Sequence, residues 1–156
     1  MLRFMSKLVL MAGLLLAAFS TLAFAQQRGT ADEAVALTEK AVALIKAQGR
    51  DKAFATFNDP TASDYHAKDL YVFSLDFQGQ MLAHGANAGL IHKNVFELKD
   101  TDGKHFVAEM IATAQTKGKG WVDYKWVDAQ TKKIEPKSSY VEKVDDFLVG
   151  VGVYKP

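Results

Sequence analysis

Gly120-Trp121-Val122-Asp123-Tyr124-Lys125-Trp126 and, a turn later, Lys137-Ser138-Ser139-Tyr140-Val141 set the reading of this chain. In an extended strand successive side chains point to opposite faces. Val122, Tyr124 and Trp126 therefore share one face, and Trp121, Asp123 and Lys125 the other. On the second segment Lys137 and Ser139 alternate with Ser138 and Tyr140, unless a bulge near Pro136 shifts the register. Two neighbouring strands bearing aromatics, a lysine and hydroxyls are the inventory of a pocket for a small anion. No catalytic constellation stands out beside them.

Working outward, a third strand follows from Phe147 to Tyr154, with turns at Asp128-Ala129-Gln130-Thr131 and Asp145-Asp146. Upstream, Leu70 to Leu75 and Gln80 to His84 read as a hairpin around Asp76-Phe77-Gln78-Gly79. Between hairpin and meander, Asp102-Gly103 is expected to open a helix whose face is Phe106, Val107, Met110, Ile111 and Ala114, closed by Gly118. Earlier still, Thr30-Ala31-Asp32-Glu33 is a capping box for a long helix ending near Gly49, and a short helix follows over Asp51 to Phe57. The expected fold is α+β: five antiparallel strands with helices to one side, leaving the other sheet face free to form a site.

The first residues read as an address. Arg3 and Lys7 precede an apolar run from Leu8 to Phe19, and Ala23-Phe24-Ala25 supplies a cleavage site. This predicts a signal peptide over residues 1–25 and one domain over 26–156, exported to a bacterial periplasm, with an uncleaved anchor or full secretion as alternatives. Without Arg3 and Lys7 the chain carries 17 basic against 18 acidic residues, which gives no electrostatic footprint for nucleic acid. There is no cysteine, so disulfides, thiol nucleophiles and Cys-based metal sites are excluded.

His66, His84, His92 and His105 match no metal-ligand spacing, and Asp100-Thr101-Asp102-Gly103 lacks the glycine and bidentate glutamate of a calcium loop. No metal or cofactor is expected. None of the serines lies in a G-x-S-x-G elbow. Lys137, beside Pro136 and two serines, is the candidate anion anchor, while Lys125 and Lys143 read as solvated. His84, at the end of the second strand, is placed to donate to a ligand carboxylate. Tyr71, Phe73 and Trp126 fit either a cage or simple core.

Leu70-Tyr71-Val72-Phe73, Asp76, Gly79, Leu82-Ala83-His84-Gly85, Asn94, Asp102-Gly103-Lys104, the two opening segments and Gly150-Val151-Gly152-Val153-Tyr154 occur in an order that resembles the single Cache family, of the sCache 2 type, over about residues 30 to 155. The resemblance implies a PAS-like sheet with a long amino-terminal helix and a pocket for small organic acids. It points to Tyr71, Phe73, His84, Tyr124, Trp126, Lys137 and Tyr140 as pocket candidates, and to dimerisation through the first helix. Parity conflicts with having both Lys137 and Tyr140.

The sequence ends at Pro156, just after the last expected strand. That predicts a free-standing sensor for a two- to four-carbon carboxylate, handing its liganded state to a membrane receptor or kinase in signal transduction or chemotaxis. The rival readings are an enzyme with His84 as general base, and an interaction protein without a ligand.

Overall fold

The computed structural model describes residues 27–155. The signal-peptide expectation for residues 1–25 lies outside the described residues.

Helix α1 spans Ala31–Gln48 and begins in the expected capping box: Glu33 N–H donates to Thr30 Oγ1 at 3.2 Å, and Thr30 N–H donates to Glu33 Oε2 at 2.8 Å. It stops at Gly49, whose φ of 84° favours glycine, and α2 (Arg50–Asn58) starts at the next residue. The strands are β1 (Val72–Asp76), β2 (Met81–His84), β3 (Lys119–Val127), β4 (Ile134–Val144) and β5 (Phe147–Tyr154), all antiparallel in the order β2-β1-β5-β4-β3. Helix α3 (Phe106–Lys117) lies between hairpin and meander.

It begins later than expected. The Asp100 carboxylate collects the N–H groups of Asp102 and Lys104, and Gly103 at φ 80° closes a turn before the helix can start. The same carboxylate accepts the Lys125 N–H at 3.1 Å, so this turn ties the α3 lead to β3.

Both sheet faces are covered, and this corrects the expectation of helices on one side. Val72, Val149, Val151 and Val153 pack against α1 and α2 through Leu37, Ala41, Val42, Ile45 and Phe57. Phe73, Leu75, Val122, Val141 and Leu148 pack against Phe106, Val107, Met110 and Ile111 of α3. Burying each such side chain contributes about 1.5–3 kcal/mol, so the two layers hold α1 and α3 on opposite sides of one sheet. Every residue of β5 is buried, as a central strand clad on both faces requires. The candidate site therefore lies between the sheet and α3.

The β3–β4 register is unbroken from Lys119↔Glu142 to Val127↔Ile134, with Lys125 opposite Pro136. Pro136 introduces no bulge. Among the described residues the register shifts between Ser74 and Leu75 in the hairpin.

Candidate functional site

Cross-strand pairing gathers the site. Phe73 faces Gly150, Tyr124 faces Lys137, and Lys137 faces Tyr154 on its other side. Gly150 and Gly152 are spaced two apart on β5, and each leaves room for a neighbour. A Cβ at Gly150 would meet Phe73 Cζ at 2.5 Å, and one at Gly152 would collide with Lys137 Cε. The glycines let an aromatic and a lysine lie flat across the centre of the sheet.

Above this floor is a cavity of about 30 Å³. Its polar end is Tyr71 and His84. Phe73, Leu75 and Met81 form the sheet side, and Phe106, Val107 and Met110 of α3 form the roof. Leu90, Val95 and Leu98, from the loop after β2, complete the apolar lining. Phe106 stacks on Tyr124 with centroids 4.5 Å apart and meets Trp126 edge-on at 5.4 Å. Tyr124 Oη and Ser139 Oγ share a hydrogen bond of 2.8 Å. A wider, more polar recess of about 230 Å³ adjoins the cavity through Tyr71, His84 and Trp126, and runs out between Asn87 and Lys132.

Lys137 is 1% exposed. Its Nζ donates to Tyr71 Oη at 2.7 Å and Tyr154 Oη at 3.4 Å, and it sits 4.3 and 4.4 Å from the centres of those two rings. Burial is the main force on its charge and lowers its pKa to about 7; Asp69 and Asp128 oppose that shift, and Arg28 adds to it. The lysine stands behind Tyr71 and does not itself line the cavity.

His84 Nδ1 accepts the backbone N–H groups of Asn87 at 2.9 Å and Ala86 at 3.3 Å. Those bonds fix the neutral tautomer, with the proton on Nε2. Burial, and then the charge of Lys137, hold its pKa at about 4. The imidazole lies 4.9 Å from the Tyr71 ring. It is a donor at neutral pH, with its free lone pair already engaged.

Of the seven sequence candidates, Tyr71, Phe73, His84, Tyr124 and Trp126 come together on one cavity. Lys137 lies directly behind them. Tyr140 does not join: unbroken register puts it on the α1 side of the sheet, opposite Trp121, with ring centroids 5.4 Å apart. Its side chain points away from Lys137 because the two are three positions apart on a straight strand.

Sequence reasoning missed Tyr154, Arg28, Asp69 and Asp128. Tyr154 was accessible by parity, since Gly150, Gly152 and Tyr154 share a face. The other three come together only by long-range folding. Arg28 is ion-paired to Asp69 at 3.2 Å, Asp128 at 2.6 Å and Glu135 at 2.7 Å, and its Cζ is 5.0 Å from the Tyr154 ring centre. Among the described residues there is no group of three or more acidic or histidine side chains placed to hold a metal ion. Nor, among them, is any helix long and apolar enough to cross a membrane.

The chain has relatives among sensory proteins. The sensor histidine kinase MctS of Rhizobium johnstonii is 38% identical over 96 residues, covering 60% of this chain and 20% of its own length. The methyl-accepting chemotaxis protein McpP of Pseudomonas putida is 31% identical over 88 residues, covering 55% and 16%. The chain thus spans a fifth or less of these relatives. Among solved structures, a methyl-accepting chemotaxis protein of Vibrio parahaemolyticus superposes with TM-score 0.69 at 25% identity, over 79% of this chain and 86% of that one. A Cache chemosensory domain described for its carboxylic acid recognition superposes with TM-score 0.62 at 23% identity, covering 78% and 85%, and shares the fold. The description of the single Cache domain 2 family matches residues 25–155, and the chain belongs to that family of sensor domains.

Proposed function

We propose that this domain senses a small monocarboxylate of two to four carbons on the periplasmic side of a bacterial membrane. One observation carries the reading: the ammonium of Lys137 is buried, and its hydrogen bonds go to two phenols and not to a carboxylate. A buried cation without an anion is costly, so a ligand carboxylate entering from the cavity gains a partner that the protein withholds. Nε2–H of His84 supplies a second donor, and the apolar walls take the short carbon chain.

The cavity as it stands admits one or two waters. A bound acid therefore has to displace the Tyr71 hydroxyl from Lys137 or push against the α3 roof. That displacement is the event a sensor can report, since a ligand shifts a conformational equilibrium only through its differential contacts with the two states. The signal would pass to a receptor or kinase, the setting in which the kinase and chemotaxis relatives are found. Catalysis is not supported by the site, because the locked tautomer leaves His84 no lone pair with which to act as a base.

The test is a thermal-shift and calorimetric titration with acetate, propionate and butyrate. Saturable stabilisation in the native protein, lost in Lys137→Met, supports the reading. No stabilisation at millimolar acid refutes it.

A further inference from the structure

Asp69 and Asp128 are the buried carboxylates whose fields reach Lys137. Their side chains are 2% and 1% exposed. A buried ammonium ordinarily pairs with such a carboxylate. Here both are engaged elsewhere. Asp69 accepts Arg28 Nη1 at 3.2 Å and the Gly29 N–H at 2.6 Å. Asp128 accepts Arg28 Nη1 at 2.6 Å, together with the N–H groups of Gln130 at 2.7 Å and Thr131 at 3.4 Å. Arg28 and Lys137 both lie against the Tyr154 ring, with Cζ at 5.0 Å and Nζ at 4.4 Å from its centre. Two cations and two aspartates thus meet around one ring, and the guanidinium has taken the aspartates.

We propose that Arg28 is a positioning residue of the anion site: by holding Asp69 and Asp128 it keeps both carboxylates off Lys137 and leaves the ammonium open to an exogenous anion. The fork of the guanidinium suits the task, because it spans several carboxylates where a lysine would reach one. Arg28 touches no wall of the main cavity. It lies three residues before α1, so the same contacts tie the anion site to the segment that leads into the domain's first helix. The consequence for binding rests on the carboxylate reading above; the electrostatic part does not.

The two are separated by following the titration of Lys137 at its own Cε and Nζ resonances in ligand-free protein. The other titratable groups beside it, Tyr71, Tyr124, Tyr154 and His84, are neutral at pH 7. In Arg28→Gln at least one freed carboxylate turns to the ammonium, and the Lys137 midpoint rises by about one unit or more. Adding Asp69→Asn brings the midpoint back toward its starting value. Loss of the Arg28 charge alone also raises the midpoint in Arg28→Gln. Arg28→Lys, which keeps the charge without the fork, decides between the two causes: a rise there reports a released carboxylate, and no rise overturns the inference. Propionate affinity on the same proteins falls about tenfold in Arg28→Gln, the same free-energy change read as binding, and recovers partly in the double variant. A midpoint unchanged by Arg28→Gln overturns the inference. Should that variant not fold, Arg28→Lys still decides, with a smaller rise expected. If the native protein ignores propionate, the carboxylate function fails while the titration still decides the role of Arg28.

Discussion

Lys137 Nζ donates to Tyr71 Oη at 2.7 Å and lies 4.3 Å from the centre of the same ring, so one side chain is both its hydrogen-bond acceptor and its π partner. Tyr71 also forms the cavity wall in front of the lysine. The two roles can be separated. Tyr71→Phe keeps the ring and removes the acceptor, which leaves a buried cation short of a partner. The cost is about 1–3 kcal/mol at pH 6, where the lysine is charged, and less at pH 9, where it is not. Urea unfolding at the two pH values measures the difference.

The lysine gives the native protein a pH signature of definite sign. Its folded-state pKa is about 7 against 10.5 for the free side chain. Between those values the unfolded chain binds the extra proton, so stability rises with pH over this window. Below pH 7 both states are protonated and the full burial penalty is present. Lys137→Met, similar in length and uncharged, is expected to remove that slope. The variant is more stable than the native protein at pH 6 and loses its advantage towards pH 10, as denaturation midpoints across the range will show.

On the acid side the group to watch is His84. Its pKa is depressed from 6.5 to about 4, so its contribution is complete above pH 6.5 and is lost as pH falls through 4. The loss is on the order of 3 kcal/mol. His84→Gln keeps a side-chain oxygen for the N–H groups of Ala86 and Asn87 without the titration. Its unfolding free energy should therefore fall less between pH 7 and pH 4.5 than that of the native protein. An equal fall in both would assign the acid sensitivity elsewhere.

The strands and helices were legible because their periods differ, and the capping box at Thr30 is a local signal that nothing overrides. The site was legible in part for the same reason: parity alone groups Tyr124 with Trp126, and Lys137 with Ser139. Parity does not say which face α3 will cover. The clue was β5, Phe147–Tyr154, an unbroken run of apolar residues, glycines and a terminal tyrosine that suits a strand buried on both sides. The Arg28 network was out of reach. Its members are separated by 41, 100 and 107 positions and meet only when β1, β4 and the β3–β4 turn converge. The start of α3 was misplaced because Asp100 serves a turn and a strand, a tertiary role that its local sequence does not reveal.

Gly152 is predicted to be as sensitive as any ligand contact. A methyl group there collides with Lys137 Cε and lies 2.5 Å from Ser139 Oγ. Both neighbours sit in a filled layer, so Gly152→Ala costs about 1–3 kcal/mol of overpacking. It also tilts the lysine away from Tyr71, and propionate stabilisation should be lost more completely than the fold. Thermal melts with and without propionate separate the two effects. Equal propionate shifts in variant and native protein would mean that the lysine position does not matter to binding.

Tyr140 and Tyr124 provide a paired test of the face assignment. Both are buried tyrosines, on neighbouring strands β4 and β3. Tyr124 stacks on Phe106 inside the cavity and bonds to Ser139, whereas Tyr140 leans on Trp121 across the sheet. Tyr124→Phe keeps the stack and drops the hydroxyl, leaving Ser139 beside Lys137 to find another partner; a change in propionate affinity of about threefold or more is expected, equivalent to one modest hydrogen bond. Tyr140→Phe alters only the α1 side and should leave affinity within about twofold, well below the worth of a direct contact. Calorimetry on the two variants decides it. If Tyr140→Phe weakens binding and Tyr124→Phe does not, the ligand lies under α1, and the cavity beneath α3 is only a packing defect.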